Sequence, residues 1–172
     1  MSPQDLQPGD YPEYYRKYIS QLPEDDLLSI LNDQLEEMRA FLNRLSPSDL
    51  QKSYAPGKWT VAEVIQHMID TERIFQYRAL RIARNDTTPL AGYDQDAYVP
   101  VCRAGNRTAE GLLKEYTAVR HSGICLFETF NNEMFNRHGY SNENPLTAAA
   151  AGFIIAGHEK HHLVLFKSNY KL

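Results

Sequence analysis

Four stretches of this chain repeat apolar residues at spacings of three and four, and none alternates them convincingly at two. The first spacing gathers side chains on one face of a helix, the second on one face of a strand. The pattern therefore predicts an all-α fold. In the first stretch Leu27, Leu28, Leu31, Leu35, Met38, Phe41, Leu42 and Leu45 form the stripe. Pro23-Glu24-Asp25-Asp26 predicts its start, because proline suits a first turn and acids suit the helix dipole. Ser46-Pro47-Ser48 stops it. Thr60-Val61-Ala62-Glu63 reads as a capping box, with Trp59 and Val64 as the accompanying staple. It opens a second helix to Ala83, with Val61, Val64, Ile65, Met68, Phe75 and Ala79 inward. A third helix is predicted from Thr108 to Phe135, with Gly123 as a weak point in its interior. Asn136–Glu143 reads as loop, and Asn144-Pro145 as the cap and first-turn proline of a last helix to Ser168. The first 22 residues read as loop with a short helix near Tyr14–Ser20.

Four long helices predict a four-helix bundle in a single domain, residues 1–172. The connection Asn85–Arg107 is too long for a tight hairpin and can cross the bundle end to end. Helices two and three would then run parallel. The formal charge is −4 with acids and bases interspersed. No basic stripe suggests a nucleic acid partner. The opening MSPQDLQPGDYPEYY has no cationic start followed by an apolar run, so no signal peptide is expected. The run Ala148 to Gly157 is too short to span a bilayer. Cys102 and Cys125 are the only cysteines, and they suggest a reducing compartment, with the cytoplasm as the default.

His158-Glu159-Lys160-His161-His162 places three of the six histidines in five residues of the last helix. Histidines four apart stand one turn above each other, with Cβ atoms about 6 Å apart. His158 and His162 can thus reach one metal ion at a Zn–N distance of about 2.1 Å. The string also satisfies the H-E-x-x-H pattern of zinc proteases. Those enzymes usually take a third ligand from downstream, but residues 163–172 contain no His, Asp, Glu or Cys. A third ligand must come from upstream. His67 lies about 10 Å along helix two from its start, and the histidine pair about 12 Å from the end of helix four. Antiparallel packing would bring these levels together; parallel packing would separate them by about 10 Å. His121 and His138 are weaker alternatives. Three imidazoles with open positions suit Zn²⁺ or Ni²⁺ and leave room for water or substrate. Against this stands the ordinary reading, since a lone helical histidine is more often a satisfied core or surface residue.

The segment Lys58–Arg73 carries Trp59, Thr60, Glu63, His67 and Asp70. It resembles the W-[ST]-x-x-[ED]-x-x-x-H-x-x-[ED] signature of the DinB-like (YfiT-type) superfamily of metal-dependent enzymes. Gly157–Leu163 resembles that family's second signature. The resemblance implies an up-down-down-up bundle, often a homodimer, with a divalent metal on His67, His158 and His162. It implies nothing comparable for Glu159 or His161. It further implies an enzyme of thiol-dependent S-transferase or hydrolase type, acting on a small molecule with or without a low-molecular-weight thiol. The rival class is a non-catalytic metal-binding or stress-response scaffold. Glu72, one turn from His67, can orient a ligand imidazole or its water, or pair with Arg73 or Gln76. His161 is a candidate for proton transfer or a core histidine. Asp70 and Glu159 are expected to face solvent. Tyr93-Asp94-Gln95-Asp96 sits in the crossover, where it can cover the mouth of the metal site.

Overall fold

Each long helix begins where a side chain takes over its free backbone N–H groups. Asp26 accepts from Leu28 and Ser29 and starts α1 (Leu27–Asn43). Thr60 and Glu63 cap each other's backbone at the start of α2 (Val61–Ala83), the predicted capping box. Thr108 accepts from Gly111 to open α3 (Ala109–Glu128). Thr147 accepts from Ala150 to open α4 (Ala148–Leu165), which continues as one wider turn over Phe166–Tyr170. The computed structural model describes residues 1–172.

Side-chain pairings give the direction of each helix. Between α2 and α3, Gln66 meets Arg107, Arg73 meets Glu115, and Gln76 meets the Val119 carbonyl. The numbers rise together, so these helices are parallel. Between α1 and α4, Gln34 meets the Ala156 carbonyl, Glu37 meets Lys160, and Phe41 stacks on Phe166. They too are parallel. Between α2 and α4, the Trp59 carbonyl meets Tyr170 and His67 meets His158; here the order reverses. Between α1 and α3, Leu31 meets Arg120 and Gln34 meets Tyr116, again reversed. The bundle is therefore up-down-down-up, as the long crossover after α2 allows.

Three boundaries differ from the sequence expectation. Pro23 and the first acids precede α1, because the Asp26 carboxylate occupies the N–H groups at which a helix must begin. The third helix stops at Glu128, not Phe135. Thr129 donates to the Leu126 carbonyl, and Asn131 caps a separate short helix, Asn132–Phe135. The chain also contains a hairpin where loop and helix start were expected: β1 (His138–Ser141) pairs antiparallel with β2 (Asn144–Thr147). Its two turn residues, Asn142 and Glu143, both have positive φ, as the favoured two-residue hairpin turn demands. Asn144-Pro145 thus belongs to a strand, and the last helix starts later. Leu90 of the crossover bonds to Tyr140 and Asn142 and ties the crossover to this hairpin.

The predicted N-terminal helix is present as Arg16–Ile19. It lies against α4 at Gly157, where a Cβ would come within 2.6 Å of the Tyr18 carbonyl carbon. Only glycine permits that approach. Gly123 serves α3 similarly: a Cβ there would meet the Gln76 amide at 2.6 Å. It does not break the helix but makes room for a neighbour. No helix is long and apolar enough to cross a membrane.

Candidate metal centre

Antiparallel packing of α2 against α4 brings His67 level with His158 and His162. His67 Nε2 lies 3.0 Å from His158 Nε2, which lies 3.1 Å from His162 Nε2. One nitrogen from each ring lies within 4.8 Å of those of the other two. All three side chains are buried. Burial lowers the pKa of His67 to about 4. Burial first, and the neighbouring imidazoles second, push His158 and His162 well below the usual histidine value. The site is therefore three neutral rings with no carboxylate among them.

Hydrogen bonding cannot satisfy this trio. A neutral ring nitrogen either donates one proton or accepts through one lone pair. His158 Nε2 faces two other Nε2 atoms and can serve only one of them. Three converging lone pairs need one shared acid, and a divalent cation is the group that the donor set fits. On its far side, His67 Nδ1 lies 3.4 Å from the Thr71 hydroxyl, which in turn lies 2.9 Å from the Tyr93 hydroxyl. A ring that coordinates through Nε2 carries its proton on Nδ1, which would then donate toward Thr71. His162 Nδ1 is buried with no partner in the protein.

Two cavities border the trio. One of about 280 Å³ is lined by Trp59, Val64, Asp96, His162, Leu165 and Tyr170. The Trp59 ring, 5.1 Å from that of His67, forms part of its wall together with Val64. A much smaller one lies between His67, Asp70, Tyr93 and Cys102. The crossover thus stands over the histidines through Tyr93 and Asp96. His121 and His138 are exposed and lie outside the cluster.

Other predicted residues sit differently. Glu72 makes no hydrogen bond to the imidazoles. Its two oxygens accept from Arg120 Nε and Nη2, both at 2.9 Å, and one also accepts from Gln76. Glu159 was expected in solvent but is 3 % exposed. It accepts from Arg120 Nη2 at 2.7 Å and from the Tyr116 hydroxyl at 2.9 Å. Successive residues on a helix diverge by about 100°, so Glu159 faces the bundle centre while His158 faces α2. Asp70 is half-buried beside Gln66 and Arg73. His161 is half-buried with its ring 5.1 Å from Tyr18 and 5.3 Å from His162.

The sequence reading missed Arg120, the fully buried centre of this second cluster. A signal existed. Arg120 falls four residues after Tyr116 and eight after Leu112, on the apolar stripe of its helix. Glu72 and Gln76 fall likewise after Met68. Opposite charges on inward stripes of different helices mark partners.

Comparison with known proteins bears on the fold. A family model described as the DinB superfamily matches residues 30–165. The "Putative metal-dependent hydrolase" of Oceanobacillus iheyensis is 23% identical over 158 residues, 86% of this chain and 89% of that one. The Bacillus subtilis protein YfiT, named likewise, is 22% identical over 151 residues, 86% of this chain and 84% of its own. Its solved structure, described as having "an unusual four-helix bundle topology", superposes with a TM-score of 0.76 at 19% identity, covering 84% of each chain. The mycothiol-dependent maleylpyruvate isomerase shares the fold with a TM-score of 0.68 at 11% identity, over 85% of this chain and 61% of that one.

Proposed function

The chain belongs to the DinB superfamily, and from that premise we propose that it is a divalent-metal-dependent hydrolase acting on a small molecule. The observation that carries the reading is the convergence of three buried, neutral imidazoles that hydrogen bonding cannot satisfy. His67, His158 and His162 would hold the ion, zinc or nickel by donor type. When bound, it supplies Lewis acidity toward the ligand in its open position. The protein's own residues do the rest. Thr71 and Tyr93 fix the His67 ring in the tautomer that leaves Nε2 free. Trp59, Leu165 and Tyr170 give the larger cavity an apolar wall. Asp96 lines that cavity, and His161 stands beside His162; these two are placed to move protons. Glu72, engaged by Arg120, leaves that role to them.

A second reading uses the same site. The fold is shared with an isomerase whose name includes a thiol cosubstrate, so a low-molecular-weight thiol can take the open position in an S-transfer reaction. A homodimer, as the family implies, and a cytoplasmic location, as the two lone cysteines suggest, go with either reading.

The first test is the metal content of protein purified without an affinity tag. We expect about one divalent ion per chain, and its loss in a His67→Ala, His158→Ala double variant. Wild-type stoichiometry in that variant would sink the proposal. Ester and amide substrates, run against a thiol-plus-electrophile screen on metal-loaded protein, then separate hydrolase from transferase. Inactivity in both, with no small ligand exchanging onto a cobalt-substituted sample, would favour a scaffold.

A further inference from the structure

Only two arginines in this protein are buried, Arg78 and Arg120. Arg120 is enclosed by two carboxylates. Arg78 has none, although its side chain comes off α2 into the fold and the residue is 4 % exposed. Its guanidinium donates to one backbone carbonyl, Ala91, at 3.2 Å, and its only other polar neighbours are phenol hydroxyls, chiefly that of Tyr15. It lies over the Phe75 ring at 4.7 Å and the Tyr93 ring at 5.7 Å. Stacking of this kind holds the guanidinium plane in place and leaves its forked N–H groups for a planar acceptor. A buried charge without a counter-ion is costly, and here burial lowers the Arg78 pKa.

Arg78 faces a cavity of about 270 Å³. Its walls come from three segments outside the bundle: the N-terminal loop through Tyr15, the crossover through Gly92 and Tyr93, and the hairpin through Ser141 and Asn142. These walls are fixed. Leu90 bonds to Tyr140 of β1 and to Asn142 in the hairpin turn. Thr147 N–H donates to the Asp10 carbonyl. Tyr15 packs edge-on against Phe75. The lining contains no Asp, Glu or Lys, so Arg78 is its one charge. It also contains a second unsatisfied group: Ser141, 7 % exposed, has a buried hydroxyl with no partner.

We infer that this cavity is a binding site for a small organic carboxylate, with Arg78 taking the carboxylate, Ser141 and Asn142 supplying further polar contacts, and the aromatic wall taking the apolar body. One guanidinium matches one carboxylate in charge and in its paired geometry. A phosphate dianion would find a single cation and no long helix N-terminus here. The site is distinct from the histidine trio. Arg78 lies eleven residues beyond His67 on the same helix, about 16 Å along its axis. Only Tyr93 is shared between this cavity and the small one at His67.

Titration calorimetry with benzoate and phenylacetate, beside the neutral isostere benzamide and inorganic phosphate, tests the inference. At least one carboxylate should bind saturably by about 10 mM, a range accessible to a single good ion pair. Benzamide and phosphate should bind about tenfold more weakly or worse. Arg78→Gln should abolish the binding and Ser141→Ala weaken it severalfold. Metal-loaded and metal-stripped protein should bind alike, which separates this site from the proposed metal centre. Should Arg78→Gln fail to fold, the isostere comparison on the native chain and the Ser141→Ala variant still decide. The inference is overturned if neither carboxylate binds, if benzamide or phosphate binds as well, if binding needs the metal, or if it survives Arg78→Gln.

Discussion

His158 and Glu159 are neighbours in sequence, yet their side chains enter two polar clusters of opposite construction. Glu159 joins Arg120, Glu72, Gln34, Gln76 and Tyr116 at the bundle centre, where all four helices contribute. Arg120 spends its N–H groups on Glu72, Glu159, Gln34 and the Leu31 carbonyl. That cluster is closed on itself except at Glu159 Oε1, which is buried with no partner. His158 joins two imidazoles of like character, and its single Nε2 faces both of theirs but can bond only one. That cluster is closed only by something the chain does not supply. The difference separates a polar group kept for the fold from one kept for chemistry. A satisfied network fixes the packing of its helices, whereas converging unsatisfied donors of one kind indicate a missing ligand.

The comparison breaks most visibly at Arg120. Arg120→Met leaves two carboxylates buried without their cation, and loss of one partner from such a group costs about 3–5 kcal/mol. Urea denaturation should show a loss of that size. The metal bound per folded chain should not change. A variant that keeps its stability but loses metal would mean the two clusters are one functional unit.

The sequence made one of these clusters readable and hid the other. Histidines four apart on a helix announce themselves by spacing, and the depth of His67 from the Thr60 cap located the third ring. The length of the crossover similarly foretold that α2 and α3 are parallel. Glu159 carried no such mark, because a glutamate beside a histidine on a helix looks like a solvated residue until the partner on α3 is known. Arg120 needed three other helices in place before its burial made sense. The hairpin escaped because its turn is Asn142-Glu143. Glutamate rarely adopts the positive φ found there, and Pro145 imitates a helix start.

A pH series on metal-free protein sharpens the contrast. The pKa of His67 falls to about 4 through burial, so the unfolded chain binds the extra proton between about 4 and 6.5. Stability should therefore be lost as pH falls through that window. The pKa of Glu159 rises to about 7, again mainly through burial. The folded chain then holds a proton that the unfolded chain has released, and stability should be lost as pH rises from 4.5 to 7. His67 and Glu159 pull in opposite directions over nearly the same range, each by about 3 kcal/mol. Glu159→Gln should abolish the alkaline-side loss, and His67→Gln should reduce the acid-side loss, the rest of which comes from His158 and His162. Identical pH profiles for both variants and the native chain would show that neither group titrates as its burial dictates.

The smallest effect lies one step behind the metal, at Thr71. Thr71→Val preserves shape but removes the hydroxyl between His67 Nδ1 and Tyr93. Metal affinity should fall about tenfold, the low end for losing a group that orients a ligand imidazole. Stability of the metal-free protein should change by less than about 1 kcal/mol, the scale of one neutral hydrogen bond. Competition with a chelator measures the first and urea denaturation the second. Tyr93→Phe should repeat the affinity loss in weaker form, because Thr71 keeps its contact with the ring. The ranking distinguishes orientation from packing. Were Thr71 only a core residue, valine would serve as well and the chelator titration would not move.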